Sequence, residues 1–229
     1  MKIGIIGYGN VGKMIHSRLS KDSNLSFLIG SKEPGKSIKV VEESDVLFIC
    51  LRSEDIADVI ASVSSVLDKN KTIFSTSLKK WPLGTTAEEI LIIPTIYGLM
   101  GKGIHVALRK TQLSSNAMEI INSMNNHLGQ VEFSATYDEL LLRCYETGIM
   151  PALIAHAAMA NDCNLNEIPK PILEKIAKLC NTTIERVIAQ FALVNEVAEL
   201  LGGFDKVVKF VATKGGLTEK LIKQLSPSY

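Results

Sequence analysis

The densest chemical signal in the chain is the run Gly7-Tyr8-Gly9-Asn10-Val11-Gly12. A GxGxxG pattern is weak on its own. Here it follows the β-rich run at residues 2–6 and opens a segment whose apolar residues Val11, Met14, Ile15 and Leu19 have helical spacing. A strand, a tight turn and a helix start form the context in which the pattern means phosphate binding. The three glycines then have different tasks. Gly7 permits the turn, Gly9 lets a pyrophosphate approach bare backbone, and Gly12 lets the helix pack closely on the sheet. The helix start adds N–H donors and the positive end of a dipole. Tyr8, Asn10 and Val11 belong to the same loop, and the six residues together predict a dinucleotide site.

A second feature bears on which dinucleotide. The apolar run Phe27-Leu28-Ile29 ends in Gly30-Ser31-Lys32, with no acid until Glu33. An acid at that place would accept from a ribose 2′-hydroxyl and repel a 2′-phosphate. A hydroxyl and an ammonium suit a 2′-phosphate instead. Ser31 and Lys32 are therefore expected cofactor ligands, with NADP(H) favoured over NAD(H).

These groups need a scaffold. Short apolar runs at 2–6, 25–29, 46–50, 72–75, 91–93 and 104–108 read as strands, with 130–133 as a final edge strand. Helical patterns separate them, including 53–67, with Ser53 as its cap and Glu54 and Asp55 in its first turn. Residues 31–43 are too short for the usual second helix of such a unit. Strands with continuous apolar interiors alternating with helices predict a mostly parallel sheet covered on both faces. From Tyr137 onward only helices are expected: 138–160, broken near Gly148 and Pro151, then 169–180, 183–201 ending at Gly202-Gly203, and 216–225. The expected organisation is an α/β domain of the Rossmann type at 1–135 and an all-helical domain at 136–229. The all-round apolar helix 148–160 and the stripe Ile184, Val187, Ile188, Phe191, Val194 are hard to bury in so small a domain, which points to dimerisation through the helices.

Composition excludes several classes. The net charge is +1, with 46% hydrophobic and 21% charged residues, and neither half is strongly basic or acidic. Bulk attraction to nucleic acid or an acidic membrane is not expected. Cys50, Cys144, Cys163 and Cys180 form no CxxC pair, so no metal site is expected, and free thiols fit a reducing cytoplasm. No run reaches the roughly 18–20 apolar residues of a membrane span. His16 is expected on a solvent-facing helix surface, His105 follows the Gly101–Gly103 turn, and His156 sits in an apolar helix. Lys79-Lys80-Trp81 reads as a solvated loop.

Together these segments resemble the pyrroline-5-carboxylate reductase family, which reduces a cyclic imine with NAD(P)H to make proline. The likeness runs through Ile3–Gly12, through Ser44-Asp45-Val46-Leu47-Phe48-Ile49-Cys50-Leu51-Arg52, the Gly101-Lys102-Gly103 turn, Thr147-Gly148-Ile149-Met150-Pro151-Ala152, and Val211-Ala212-Thr213-Lys214-Gly215-Gly216-Leu217-Thr218. The last segment is similar to the family's Ser-Pro-Gly-Gly-x-Thr signature. The resemblance implies that Thr218 hydrogen-bonds the ring nitrogen and that Thr213, Gly215 and Gly216 hold the substrate carboxylate. It implies that Leu51, Arg52 and Ser75 lie beside the cofactor, that Thr95 and Tyr97 line the substrate pocket, and that the active site is shared in a homodimer. The family's Met-x-Asn-Thr-Pro loop is here Ile93-Pro94-Thr95-Ile96-Tyr97, and the Val-Lys-Pro turn is Leu51-Arg52-Ser53. These departures leave open another imine or carbonyl substrate, or a catalytically silent dinucleotide sensor.

Overall fold

A computed structural model describes residues 1–33, 35–78, 81–212 and 216–225. The chain divides into two units: Met1–Pro94 with Gly101–Leu140, and Thr95–Met100 with Leu141–Tyr229.

The first unit is built on a seven-stranded sheet. Its strands are β1 (Lys2–Ile6), β2 (Ser26–Gly30), β3 (Val46–Ile49), β4 (Thr72–Ser75), β5 (Glu88–Ile93), β6 (Ile104–Arg109) and β7 (Gln130–Phe133), in the order β2-β1-β3-β4-β5-β6-β7. All pairings are parallel except β5 with β6. Helices α1 (Asn10–Leu19), α2 (Ile38–Glu43), α3 (Ser53–Val63) and α4 (Ser115–His127) accompany it. This is a Rossmann-like architecture, as the alternating pattern implied. The continuous apolar strands have their expected cause, since every residue of β3 is buried. Leu47 and Ile49 cluster with Ile56, Val59 and Val63 of α3, while Phe48 stacks on Phe74 at 5.0 Å between ring centroids. Alternate side chains of one strand thus face opposite sides of the sheet.

The strand order creates a switch point. From β1 the chain crosses to β2 on one side and then returns to place β3 on the other. Crevices for ligands open at the carboxyl ends of strands where the winding reverses. Gly7, Gly30 and Cys50 follow or end those three strands, so the topology gathers them without any contact close in sequence.

Three local expectations are corrected. A second helix does exist, though only six residues long: Val41 is buried in the α3 cluster, and Ser37 Oγ donates to the Ser31 carbonyl at 2.6 Å to set the chain direction before it. Ser53 does not cap α3. It is the first helical residue, Arg52 takes the cap position, and the Ser53 hydroxyl pairs with that of Ser77 at 2.9 Å. The 183–201 helix is two helices with a break at Gln190.

The second unit contains the 3-10 turn Ile96–Met100, the end of α5 (Tyr137–Cys144), a π-helical turn at Tyr145–Ile149, and α6 (Met150–Ala160). There follow α7 (Lys170–Leu179), α8 (Ile184–Ala189), α9 (Phe191–Leu201), α10 (Phe204–Val211) and α11 (Leu217–Leu225). The break predicted near Gly148 is that π turn, and Gly202 closes α9 in the left-handed conformation at φ 85°. Helix α6 packs against α7, α9, α10 and α11. Its residues Met150–Ala155, Ala157 and Ala158 are all buried within one copy of the chain, which removes the burial argument for a partner made from that helix. Of the stripe on α8 and α9, Val187, Phe191 and Val194 are buried, whereas Ile188 is exposed. Among the described residues no single helix is long and apolar enough to cross a membrane.

Candidate functional site

The first unit holds an open cleft of about 550 Å³ at the carboxyl ends of β1, β2 and β3. The phosphate loop contributes Gly7, Tyr8 and Gly9, the end of β2 contributes Gly30, Ser31 and Lys32, and the stretch after β3 contributes Cys50, Leu51 and Arg52, with Asp55 from the first turn of α3. Seven of the predicted cofactor residues therefore share one wall. Asn10, Val11 and Gly12 lie behind it in the start of α1. Ser75 is buried at the end of β4 and is not part of that wall.

The glycines can be judged by what a methyl group would meet. At Gly7, where φ is +96°, a Cβ would lie 2.5 Å from the Cys50 carbonyl oxygen. At Gly12 it would lie 2.2 Å from the Gly7 carbonyl oxygen. Both positions are closed by backbone. At Gly9 nothing lies within 4 Å. The missing Cβ at Gly9 thus leaves room over the cleft and not over the core, which is where a pyrophosphate needs it. No side chain caps α1, and its first turn carries no acid, so the positive helix end is not neutralised by the protein itself. The residues present fit a dinucleotide.

Side chains trim this cradle. The Tyr8 hydroxyl lies 2.6 Å from His16 Nδ1, and the His16 ring packs on Phe27 at 4.9 Å. His16 is accordingly half-buried and tied to the phosphate loop, a correction to the solvent-facing expectation. Lys32 Nζ bonds both Asp55 oxygens, at 3.2 and 3.4 Å. Burial pushes the Cys50 thiol up to about 12, a shift that its Thr76 hydrogen bond opposes, and keeps it neutral in the cleft wall. Gly30, Cys50 and Asp55 were missed by sequence reasoning. Asp55 was visible only as a first-turn acid that suits the dipole of its own helix.

The expected substrate residues belong to the second unit. Thr95 and Tyr97 are 1% and 2% exposed. Tyr97 sits in the apolar cluster with Ile149, Met150 and Leu153, its hydroxyl has no hydrogen-bond partner among the described residues, and burial raises its pKa above the ordinary phenol range. Thr218 is buried in the first turn of α11, and Gly216 accepts from the Lys220 amide just before it. Thr213 and Gly215 lie outside the described residues, as do Lys79 and Lys80. His105 is fully buried, and its Nε2 donates to the Leu128 carbonyl at 3.0 Å. Desolvation lowers it to about 4, so it is a neutral tie between β6 and the end of α4. Burial also lowers His156. Among the described residues no group of His, Cys, Asp and Glu is arranged to hold a metal ion.

Known proteins add to this geometry. No family model matches the chain. A pyrroline-5-carboxylate reductase from Methanobrevibacter smithii is 22% identical, over 96% of this chain and 95% of that protein. The chain resembles pyrroline-5-carboxylate reductase along almost its whole length. Among solved structures, the Plasmodium falciparum pyrroline carboxylate reductase with NADP bound superposes with a TM-score of 0.59 at 12% identity, covering 98% of this chain and 89% of that one. A PanE/ApbA family ketopantoate reductase from Ralstonia eutropha gives 0.51 at 12% identity, covering 98% and 99%. The shared feature is the fold: a Rossmann-like sheet unit followed by helices.

Proposed function

We propose that this chain reduces a cyclic imine with NADPH, with 1-pyrroline-5-carboxylate, reduced to proline, as the substrate. The observation that carries the proposal is the open space at Gly9, set between two glycines whose missing Cβ atoms are required by backbone packing. The whole-length similarity to a pyrroline-5-carboxylate reductase supplies the reaction class.

In this reading Gly7–Gly12 hold the pyrophosphate, Ser31 and Lys32 take the 2′-phosphate, and Leu51, Arg52 and Ser75 flank the cofactor. Bound NADPH supplies the hydride. Most of the acceleration then comes from orientation, because a hydride donor held against an imine carbon needs little further chemistry from the protein. Thr218 donates a hydrogen bond to the imine nitrogen, which takes up a proton as its carbon is reduced. The turn at Thr213, Gly215 and Gly216 binds the substrate carboxylate through backbone N–H groups at the start of α11. Thr95 and Tyr97 shape the pocket. Assembly as a homodimer through the helical unit belongs to the same reading, and Leu142, Met159, Ile188 and Leu200 are apolar side chains exposed on that unit. A cytoplasmic enzyme of amino-acid biosynthesis is consistent with the four free cysteines.

The test is NADPH consumption with 1-pyrroline-5-carboxylate, followed by absorbance, for the native chain and Thr218→Ala. Turnover that falls on the order of a hundredfold in Thr218→Ala, with NADPH binding unchanged, is the expected result. NADPH binding without turnover of this substrate refutes the assignment. One observation favours a second reading with the same fold and another imine or carbonyl substrate. Tyr97 stands where the family's loop has proline, and its buried hydroxyl has no partner among the described residues. Turnover of other imines or keto acids alone would select that reading.

A further inference from the structure

The assignment of NADPH rests on the end of β2, where Ser31 and Lys32 stand and no acid does. The tertiary structure brings an acid to the same place from another element. Asp55, in the first turn of α3, meets Lys32 across the cleft, and both residues line it. The Lys32 side chain is 63% exposed and the Asp55 side chain 26% exposed, and both line the cleft that a ligand would enter. The next basic side chain along that loop, Lys36, pairs with Glu33. At the cleft mouth Lys32 is thus already engaged by a carboxylate before any phosphate arrives.

We propose that Asp55 is a specificity-determining residue that restrains the preference for 2′-phosphorylated cofactor. This deepens the dinucleotide reading above and rests on it. A 2′-phosphate approaching Lys32 has to share the ammonium with Asp55 and lies beside a like charge. A 2′-hydroxyl has no such conflict, because it can donate to the same carboxylate, which is the task an acid at the end of the second strand performs in NAD sites. Lys32 and Asp55 therefore form a two-sided selector, with the cation favouring NADPH and the anion favouring NADH. The chain accepts both cofactors with a smaller difference than Lys32 alone would produce.

The experiment is fluorescence titration of NADPH and NADH against the native chain and Asp55→Asn, with thermal unfolding to confirm folding. Asp55→Ser serves as a second variant of the same charge change. The expected result is an NADPH dissociation constant lower on the order of tenfold, equal to about 1.4 kcal/mol, with the NADH constant unchanged or higher. A tenfold rise in the NADPH-to-NADH preference supports the selector. An unchanged or reduced preference in folded variants that bind both cofactors overturns it and leaves the dinucleotide site standing. Failure of the native chain to bind either cofactor overturns the dinucleotide site and the selector together.

Discussion

Replacing Gly9 or Gly12 by alanine adds the same methyl group to the same loop, yet the structure assigns it opposite consequences. At Gly12 the new carbon would sit 2.2 Å from the Gly7 carbonyl oxygen, where ordinary contact begins at 3.4 Å. The start of α1 must therefore shift by about 1 Å away from the turn, against a wall of buried residues that includes Met14 and Ile15. Overpacking of this kind costs about 1–3 kcal/mol, which in a chain of this size lowers the melting temperature by roughly 2–12 °C. At Gly9 the backbone angles, φ −81° and ψ −159°, are open to alanine, and the methyl meets nothing within 4 Å. Exchange of glycine for alanine at a helix cap costs only about 0.5 kcal/mol. The methyl would, however, occupy the approach of the pyrophosphate and raise the NADPH dissociation constant by at least about tenfold. Thermal unfolding and NADPH fluorescence titration on both variants separate the effects. A Gly9→Ala chain that binds NADPH as tightly as the native one, or a Gly12→Ala chain of native stability, refutes the reasoning.

Further outcomes follow from particular side chains. His105 is held neutral, lowered from 6.5 to about 4 by burial. Its contribution is complete above pH 6.5 and is lost as pH falls towards 4, a decline of about 3 kcal/mol; urea unfolding across this range should show it, and a His105→Phe chain should lack that decline. Glu146 accepts from Thr182 Oγ1 at 2.6 Å and from Arg186 Nη1 at 2.9 Å. Because Arg186 is mostly exposed, Glu146→Gln should cost under about 1 kcal/mol, whereas Glu146→Ala, which also leaves Thr182 unpartnered, should cost about 1–3 kcal/mol by urea unfolding. Gly202 ends α9 at φ 85° with free space around it, so Gly202→Ala should lose about 1–2 kcal/mol from backbone conformation alone. A loss of similar size in Gly9→Ala, whose φ is negative, would contradict that account.

Much of this protein follows from local pattern. The glycine spacing at residues 7, 9 and 12, the apolar strands, the break near Gly148 and the glycine end of α9 depend on sterics and periodicity within a few residues, so they are legible in one dimension. Tertiary structure alone decided other features. The antiparallel pairing of β5 with β6 depends on how the chain returns, and no residue type encodes that direction. The burial of α6 within one copy depends on four neighbouring helices, not on its own composition. Asp55 lies 23 residues from Lys32, and as a first-turn acid it looks identical whether or not a lysine faces it. The pairing exists because the reversal of winding at β1 brings the ends of β2 and β3 to either side of one crevice. Charge at a site is a sum over elements brought together by topology, and a sequence read along the chain counts only one of them at a time.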